Sequence, residues 1–321
     1  MLPGKGKWRM PRKIILDVDT GGDDAVAILL AGHHPALDLV AVCTTHGNAL
    51  HEVVLENTLR VLSAGDLRSV PVYPGAVKPL VNDHIPADPD QRAVLPLPPT
   101  DLQPQAKHAV QFLLEYYNNP AGLETIYVPI GPLTNLALAL RIDPGLVRRI
   151  PRIVTMGGAY IEGNATPSAE FNILADPEAA HIVYSAGIPI TMIGLEVTSM
   201  AYLTLTDVAR IAEIHTPWAQ AAAKLMDRDV RWFMKHFGLE QGQIFDANTI
   251  AEVIQPGLTE TRPMHVEIEL RGEHTRGRTV ADIHGRHGKP ANVDVGVAME
   301  RTRFLEILTA GLNESPQEPT D

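Results

Sequence analysis

The sequence has one cysteine, no block of basic residues and no long apolar run. Each shortage removes a class of explanation. With Cys43 alone no internal disulfide can form, and its place in the apolar run 39–43 makes it a core residue and not a nucleophile. No stretch approaches the roughly 18 apolar residues that a membrane span needs. The basic start, residues 1–13, leads into only Ile14, Ile15 and Leu16 before Asp17, too little for a secretory signal. Formal charge is −11, from 27 Lys and Arg against 38 Asp and Glu, which argues against nucleic acid and anionic membranes as partners. No internal repeat or low-complexity tract interrupts the pattern. The expectation is a cytoplasmic protein with an N-terminal extension (1–12), one domain (13–312) and a disordered tail (313–321). With 321 residues, 45% of them apolar, the chain can bury one large core or two ordinary ones.

What is present in abundance is acid at one place. Residues 14–24 read Ile-Ile-Leu-Asp-Val-Asp-Thr-Gly-Gly-Asp-Asp, an apolar strand that ends in four carboxylates, Asp17, Asp19, Asp23 and Asp24. Gly21 and Gly22 permit a tight turn, and the apolar run from Ala25 reads as the following helix. Capping that helix needs one acid and not four. Four acids within eight residues repel one another unless a cation lies between them, and a hard divalent ion such as Ca²⁺, with roughly 6 to 8 oxygen ligands, suits them.

The strand, polar loop, helix unit then repeats. Strands are expected at 37–44, 70–73, 125–130, 152–156 and 189–193, with helices at 50–67, 106–118, 133–140 and 176–186 between them. Helices at 205–214 and 218–237 follow, then a helix through 250–254 with Asp246 near its start, where local sequence favours an N-cap role. A hairpin (264–270 with 278–283), a last strand (292–299) and a last helix (302–312) complete the chain. Segment 74–104 holds eight prolines and little periodicity, so it either covers a site or forms a mobile excursion. The fold class is therefore α/β: a single doubly wound, mostly parallel, Rossmann-like sheet flanked by helices, with a small hairpin excursion near the C-terminus. Such sheets bind ligands beyond the carboxyl ends of their strands. Asp17 to Asp24, His46 to Asn48, the carbonyl of Ile130, and Asn164, Glu170 and Asn172 all fall on that edge.

A Ca²⁺ held by carboxylates keeps sites for water and vicinal hydroxyls, so a sugar diol fits. A water held by the ion is more acidic than bulk water, and an aspartate can take its proton. Nearby anionic groups would stabilise positive charge developing on a sugar ring, which suits glycosidic hydrolysis.

These residues resemble the inosine-uridine preferring nucleoside hydrolases, which cleave the N-glycosidic bond of ribonucleosides to ribose and free base. The fingerprint D-x-D-x-G-x-D-D is complete at Asp17, Asp19, Gly21, Asp23 and Asp24. Further blocks agree in order along nearly the whole chain: Gly47-Asn48, Gly131-Pro132-Leu133-Thr134-Asn135, Met156-Gly157-Gly158, Gly163-Asn164 through Glu170-Phe171-Asn172, Asp176-Pro177-Glu178-Ala179 and Asp246-Ala247. The resemblance implies that Asp19 is both a Ca²⁺ ligand and the general base that activates water. Asp24, the Ile130 carbonyl and Asp246 would be the other ligands, with Asp246 also touching the 3′-hydroxyl. Asp23 and Asn48 would hold the 2′-hydroxyl, Asn172 the 3′-hydroxyl, and Asn164 with Glu170 the 5′-hydroxyl, while Asp17 would orient the ligands. The family often has Thr where Ile130 stands; only a carbonyl is required there. The resemblance also suggests a homodimer or homotetramer.

Two departures concern the base. Inosine-uridine members carry a histidine before the last aspartate that serves the leaving base; this chain has Phe245, which donates no proton. Purine-specific members place an aromatic ring there to stack on the base, so Phe245 hints at purine preference, beside a plain packing role. The family's His-Gly motif after the third strand is missing, His84 lying nearby outside that context. His46, Trp232 and His236 are further candidate base contacts, each also readable as structural. Alternatives are hydrolysis of another N-ribosylated compound or a non-catalytic Ca²⁺-dependent ribose-binding protein. A haloacid dehalogenase-like phosphotransferase would explain the Asp17-x-Asp19 pair, but it needs a phosphate-binding lysine at a strand end, and none stands there.

Overall fold

The computed structural model describes residues 10–83 and 93–314. Strand and helix alternate from the start: β1 (Arg12–Val18), α1 (Gly22–His33), β2 (Leu37–Thr44), α2 (His51–Ala64) and β3 (Val72–Pro74). Next come α3 (Ala109–Tyr116), β4 (Ile126–Pro129), α4 (Thr134–Ile142), β5 (Ile153–Met156), α5 (Phe171–Ala175), α6 (Pro177–Tyr184) and β6 (Ile190–Ile193). The second half holds α7 (Leu195–Thr198), β7 (Tyr202–Leu203), α8 (Leu205–Ala212), α9 (Pro217–Phe237), β8 (Gly242–Gln243) and α10 (Phe245–Ile254). It closes with β9 (Thr259–Met264), β10 (Val266–Ile268), β11 (Thr279–Ala281), β12 (Val293–Met299) and α11 (Arg301–Asn313).

The main sheet has eight strands in the order β3-β2-β1-β4-β5-β6-β12-β9. Neighbours are parallel except β9, which runs antiparallel to β12. The doubly wound α/β expectation holds, and so does the hairpin, as β10 paired with β11. Strand order reverses between β1 and β4, the switch point where such sheets open a crevice.

The alternation of side chains along β1 explains the two cores. Ile14, Leu16 and Val18 join one apolar cluster with residues of α1, α9, α10 and α11. Ile15 joins the other, with Leu113, Leu136 and Val183 from the opposite face. Buried on both sides, a parallel strand is apolar throughout, which is why residues 14–16 carry no polar interruption.

Several boundaries differ from the sequence reading. Helix α1 starts at Gly22, so Asp23 and Asp24 lie in its first turn. Strand β1 already includes Arg12 and helix α11 includes Asn313; Met10, Pro11 and Glu314 stand just outside these elements, and residues 1–9 and 315–321 of the expected extension and tail lie outside the described residues. Strand β9 was not anticipated. Of the Pro-rich segment, residues 84–92, with His84, lie outside the described residues; beyond them Leu95 and Leu97 are buried in the core. The segment is tied to the helices by Asn57 Oδ1, which accepts from Leu95 N (2.8 Å), and by Lys224 Nζ, which donates to the Pro96 carbonyl (2.6 Å).

Arg12, at the beginning of β1, donates through Nη1 to the carbonyls of Ile254 (3.0 Å) and Val253 (3.4 Å), the last residues of α10. A cation at a helix C-terminus is favourably placed against the exposed carbonyls. No helix among the described residues is long and apolar enough to cross a membrane.

Candidate active site

The acidic turn after β1 is closed by its own carboxylates. Asp24 accepts the backbone N–H of Gly21 (2.9 Å) and of Asp19 (3.1 Å), and Asn48 Nδ2 reaches it at 3.2 Å. Gly21, and not Asp23 or Asp24, is the N-cap of α1. Asp19 points its Oδ2 at the backbone N–H of Asn48 (2.7 Å) in the loop after β2. That approach needs Gly47 next door: a Cβ there would lie 2.0 Å from Asp19 Oδ2, and its φ of +157° disfavours a side chain as well.

Asp17, one residue inside β1, faces the other side of the sheet. It is fully buried and accepts from Asn135 Nδ2 (2.9 Å) and Tyr127 Oη. Asn135 also spans Thr44 O and Ala76 N, so this acid locks β1, β2 and α4 together and lines no part of the cavity.

Groups distant in sequence meet the turn from β4, α5 and α10. The backbone N–H of Ile130 bonds to Asp17 O (2.8 Å), and its own carbonyl accepts from Asn172 Nδ2 (2.8 Å). Asp246 sits inside the first turn of α10, with Ile244 as N-cap and no side-chain cap bond, so the local N-cap reading is overturned. Its carboxylate is 3% exposed and joins those of Asp23 and Asp24, the ligand oxygens of all three lying within 4.8 Å of one another. Glu170 caps α5, its two oxygens accepting backbone N–H groups of Asn172, Gly158 and Ile173 at 2.8, 2.9 and 3.1 Å. Asn164 accepts from Phe171 N (2.9 Å) and stays exposed at the rim.

The electrostatics follow from this crowding. Burial, reinforced by neighbouring acids, holds Asp19 and Asp246 well above the ordinary carboxylate range. Burial and Asp24 push Asp23 up to about 7, and burial pushes Asp24 up to about 6 despite the N–H groups it accepts. The carboxylates of Asp23, Asp24 and Asp246 are hard oxygen donors grouped at single-ion spacing, and that set fits a divalent cation.

The acids floor a cavity of about 520 Å³, within the range of small-molecule sites. Asp19, Asp23, Asn48, Ile130, Asn164, Glu170, Asn172 and Asp246 all line it, and Asp24, fully buried, joins Asp23 and Asp246 from outside the lining. The far wall is aromatic and basic: Phe245 with its ring 6.3 Å from that of Phe233, then Trp232, Arg228 and Gln243. Ala93, Val94 and Pro96 close one side, the covering role of the Pro-rich segment. Of the three candidate base contacts, only Trp232 lines the cavity. His46 is fully buried and bonds through Nε2 to Thr134 Oγ1 (2.9 Å), which donates to Asp176. His236 turns back to the Trp232 carbonyl (2.9 Å) on its own helix. Sequence reasoning did not single out Asp229, Phe233 or Gln243; a charged residue among apolar neighbours of α9 was the one available signal for Asp229.

Comparison with known proteins agrees with this geometry. The family model described as inosine-uridine preferring nucleoside hydrolase matches residues 14–306. The pyrimidine-specific ribonucleoside hydrolase RihB of Escherichia coli (strain K12) is 39% identical over 301 residues, covering 92% of this chain and 96% of its own. Among solved structures, the purine-preferring ribonucleoside hydrolase from Gardnerella vaginalis superposes with a TM-score of 0.86 at 30% identity, covering 94% of this chain and 98% of that one. The plant nucleoside hydrolase PpNRh1 gives a TM-score of 0.88 at 27% identity, over 94% and 99%. The chain belongs to the inosine-uridine preferring nucleoside hydrolase family and is an enzyme of that class.

Proposed function

We propose that this member of the nucleoside hydrolase family is a Ca²⁺-dependent enzyme that cleaves the N-glycosidic bond of a ribonucleoside, with the acidic turn as its ribose and metal site. The observation that carries the reading is the meeting of the Asp23, Asp24 and Asp246 carboxylates within 4.8 Å of one another, at a cavity that Asp19 and Ile130 also line. Asp19, Asp24, Asp246 and that carbonyl would hold the ion. When bound, Ca²⁺ supplies coordination for hydroxyls and water and makes that water more acidic.

The chain's own groups do the rest. Asp19, its Oδ2 fixed by the Asn48 N–H, takes the proton of the attacking water as general base. Asp23 and Asn48 hold the 2′-hydroxyl, Asn172 and Asp246 the 3′-hydroxyl. Asn164 and Glu170 hold the 5′-hydroxyl, the carboxylate of Glu170 being fixed in place by backbone N–H groups of Asn172, Gly158 and Ile173. The surrounding carboxylates stabilise the oxocarbenium-like charge on the ribose as the bond breaks. Asp17 positions the β1 turn through Asn135 and Tyr127.

The base side supports a purine: Phe245, Phe233 and Trp232 offer stacking surface, which larger rings use better. A panel of purine and pyrimidine ribonucleosides with 4-nitrophenyl riboside, run with Ca²⁺ and with chelator, tests the reading. Ribose release that chelator abolishes and Ca²⁺ restores is expected, with Asp19→Ala inactive but folded. No turnover of any substrate with Ca²⁺ present refutes it. The resemblance further supports a cytoplasmic homodimer or homotetramer, which light scattering of the purified protein checks.

A further inference from the structure

When the bond from C1′ to the base nitrogen breaks, the electron pair leaves with the base, and a group on the base side must meet that charge. Phe245 offers neither proton nor hydrogen bond. The cations lining the cavity are Arg228, Arg231 and Lys235. Lys235 is exposed, and Arg231, with a side chain 62% exposed, is paired with Asp227 one helical turn away. Arg228 is different. Its side chain is 35% exposed, and its Nε and Nη2 both hold Asp229 Oδ1, at 2.8 and 2.7 Å.

The pair is pressed against the acidic turn. A Cβ on Gly22 would lie 2.0 Å from Asp229 Oδ2 and 2.5 Å from Arg228 Nη2, so only glycine lets the guanidinium come this close to the residue before Asp23. A guanidinium carries five N–H groups in a planar fork. Asp229 takes two, and Nη1 has no hydrogen-bond partner among the described residues. The cation is thus anchored at one edge, open at the other, and set at the boundary between the ribose floor and the aromatic wall.

We propose that Arg228 receives the leaving base, its remaining N–H groups binding an electronegative ring atom and taking up the negative charge that develops there. The proposal rests on the hydrolase reading above. In the step, the pair of the C1′–N bond passes to the base, the water oxygen bonds to C1′, and one water proton goes to Asp19. The guanidinium stays protonated throughout, because arginine does not give up its proton in proteins, and the base collects its proton from solvent after departure. Asp229 is the positioning residue that holds the fork.

The test compares two leaving groups. Wild type, Arg228→Met and Arg228→Lys are assayed with Ca²⁺ on inosine and uridine, which need help for the base, and on 4-nitrophenyl riboside, whose phenolate needs little. Expected is a loss in kcat on the better nucleoside on the order of 100-fold for the Met variant, as for removal of one charge-stabilising donor. The same variant should lose less than about threefold on the nitrophenyl substrate, and the Lys variant should recover part of the nucleoside rate. Equal losses on both substrates, or no loss on nucleosides, overturn the assignment, as does a wild type active only on the nitrophenyl riboside. A wild type inactive on every substrate overturns the hydrolase reading instead. If the Met variant fails to fold, the Lys variant reads the same ratio.

Discussion

Replacing Asp246 by Asn should change the sign of its effect on stability according to whether calcium is present. Asp23, Asp24 and Asp246 bring carboxylate oxygens within 4.8 Å of one another. At that separation, with an effective dielectric near 20, each ionised pair costs roughly 3.5 kcal/mol. Proton uptake relieves part of this, because burial first and the neighbouring acids next raise the pKa of Asp246. An amide of nearly the same shape therefore recovers about 1–3 kcal/mol in the metal-free protein. At roughly 2 °C per kcal/mol for a domain of this size, the variant in EDTA should melt about 2–6 °C above wild type. At a Ca²⁺ concentration of about 1,000 times Kd, wild type gains about 4.1 kcal/mol, whereas the variant, short of a ligand, gains little. The two melting curves should exchange order. Scanning calorimetry in EDTA and in Ca²⁺ reads both halves. A variant less stable than wild type in EDTA, or an equal rise on calcium addition, refutes the placement of Asp246 in a shared ion site.

Three further outcomes follow from particular contacts. Gly47→Ala puts a Cβ 2.0 Å from Asp19 Oδ2; turnover should fall at least tenfold with a stability loss of about 1–3 kcal/mol, and an unaltered rate would show that Asp19 need not stay where Asn48 holds it. Asn135→Ala strips partners from Asp17, Thr44 O and Ala76 N at once, so urea unfolding should show a loss of about 2–5 kcal/mol; a change under 1 kcal/mol contradicts its role as the tie between strands. His34 is buried, which lowers its pKa from 6.5 to about 4. Above pH 6.5 both folded and unfolded chains keep it neutral, but between pH 6.5 and 4 only the unfolded chain takes the proton, so stability falls across that window and then levels. His34→Gln should flatten this slope by on the order of 2 kcal/mol, read from urea midpoints at several pH values; an identical slope excludes His34 as a cause.

How much of this was legible depended on whether the signal was local. The acidic turn announced itself, because an apolar strand, two glycines and four acids stand side by side, and β1 needs no partner to be recognised. Asp246 was harder. On local sequence it reads as a cap, and only the packing of α10 against α1 turns its carboxylate towards Asp23 and Asp24. Strand β9 was missed because Thr-Glu-Thr-Arg-Pro-Met carries charge and a proline, the composition that an edge strand uses to discourage further pairing. The wall formed by α9 was half visible. Trp232 and His236 stood out along the helix, but helical spacing does not say whether a face meets core or cavity, so Asp229 on the same helix went unremarked.

The contact between Arg12 and the end of α10 has a consequence at the opposite end of the molecule. Strand β1 and helix α10 run in opposite senses: Arg12 grips the helix where it finishes, and the acids that follow the strand face Asp246 where the helix begins. The two elements act like the rails of a vice, with the guanidinium as its fixed jaw and the carboxylates as the gap it sets. A change at the first residue of the strand, such as Arg12→Met or a fusion that pulls it away, should therefore widen or skew a gap roughly 20 Å distant, seven strand residues at about 3.3 Å each. Calibrating ion affinity in this protein thus begins at its N-terminal edge, far from any atom that would touch the ion.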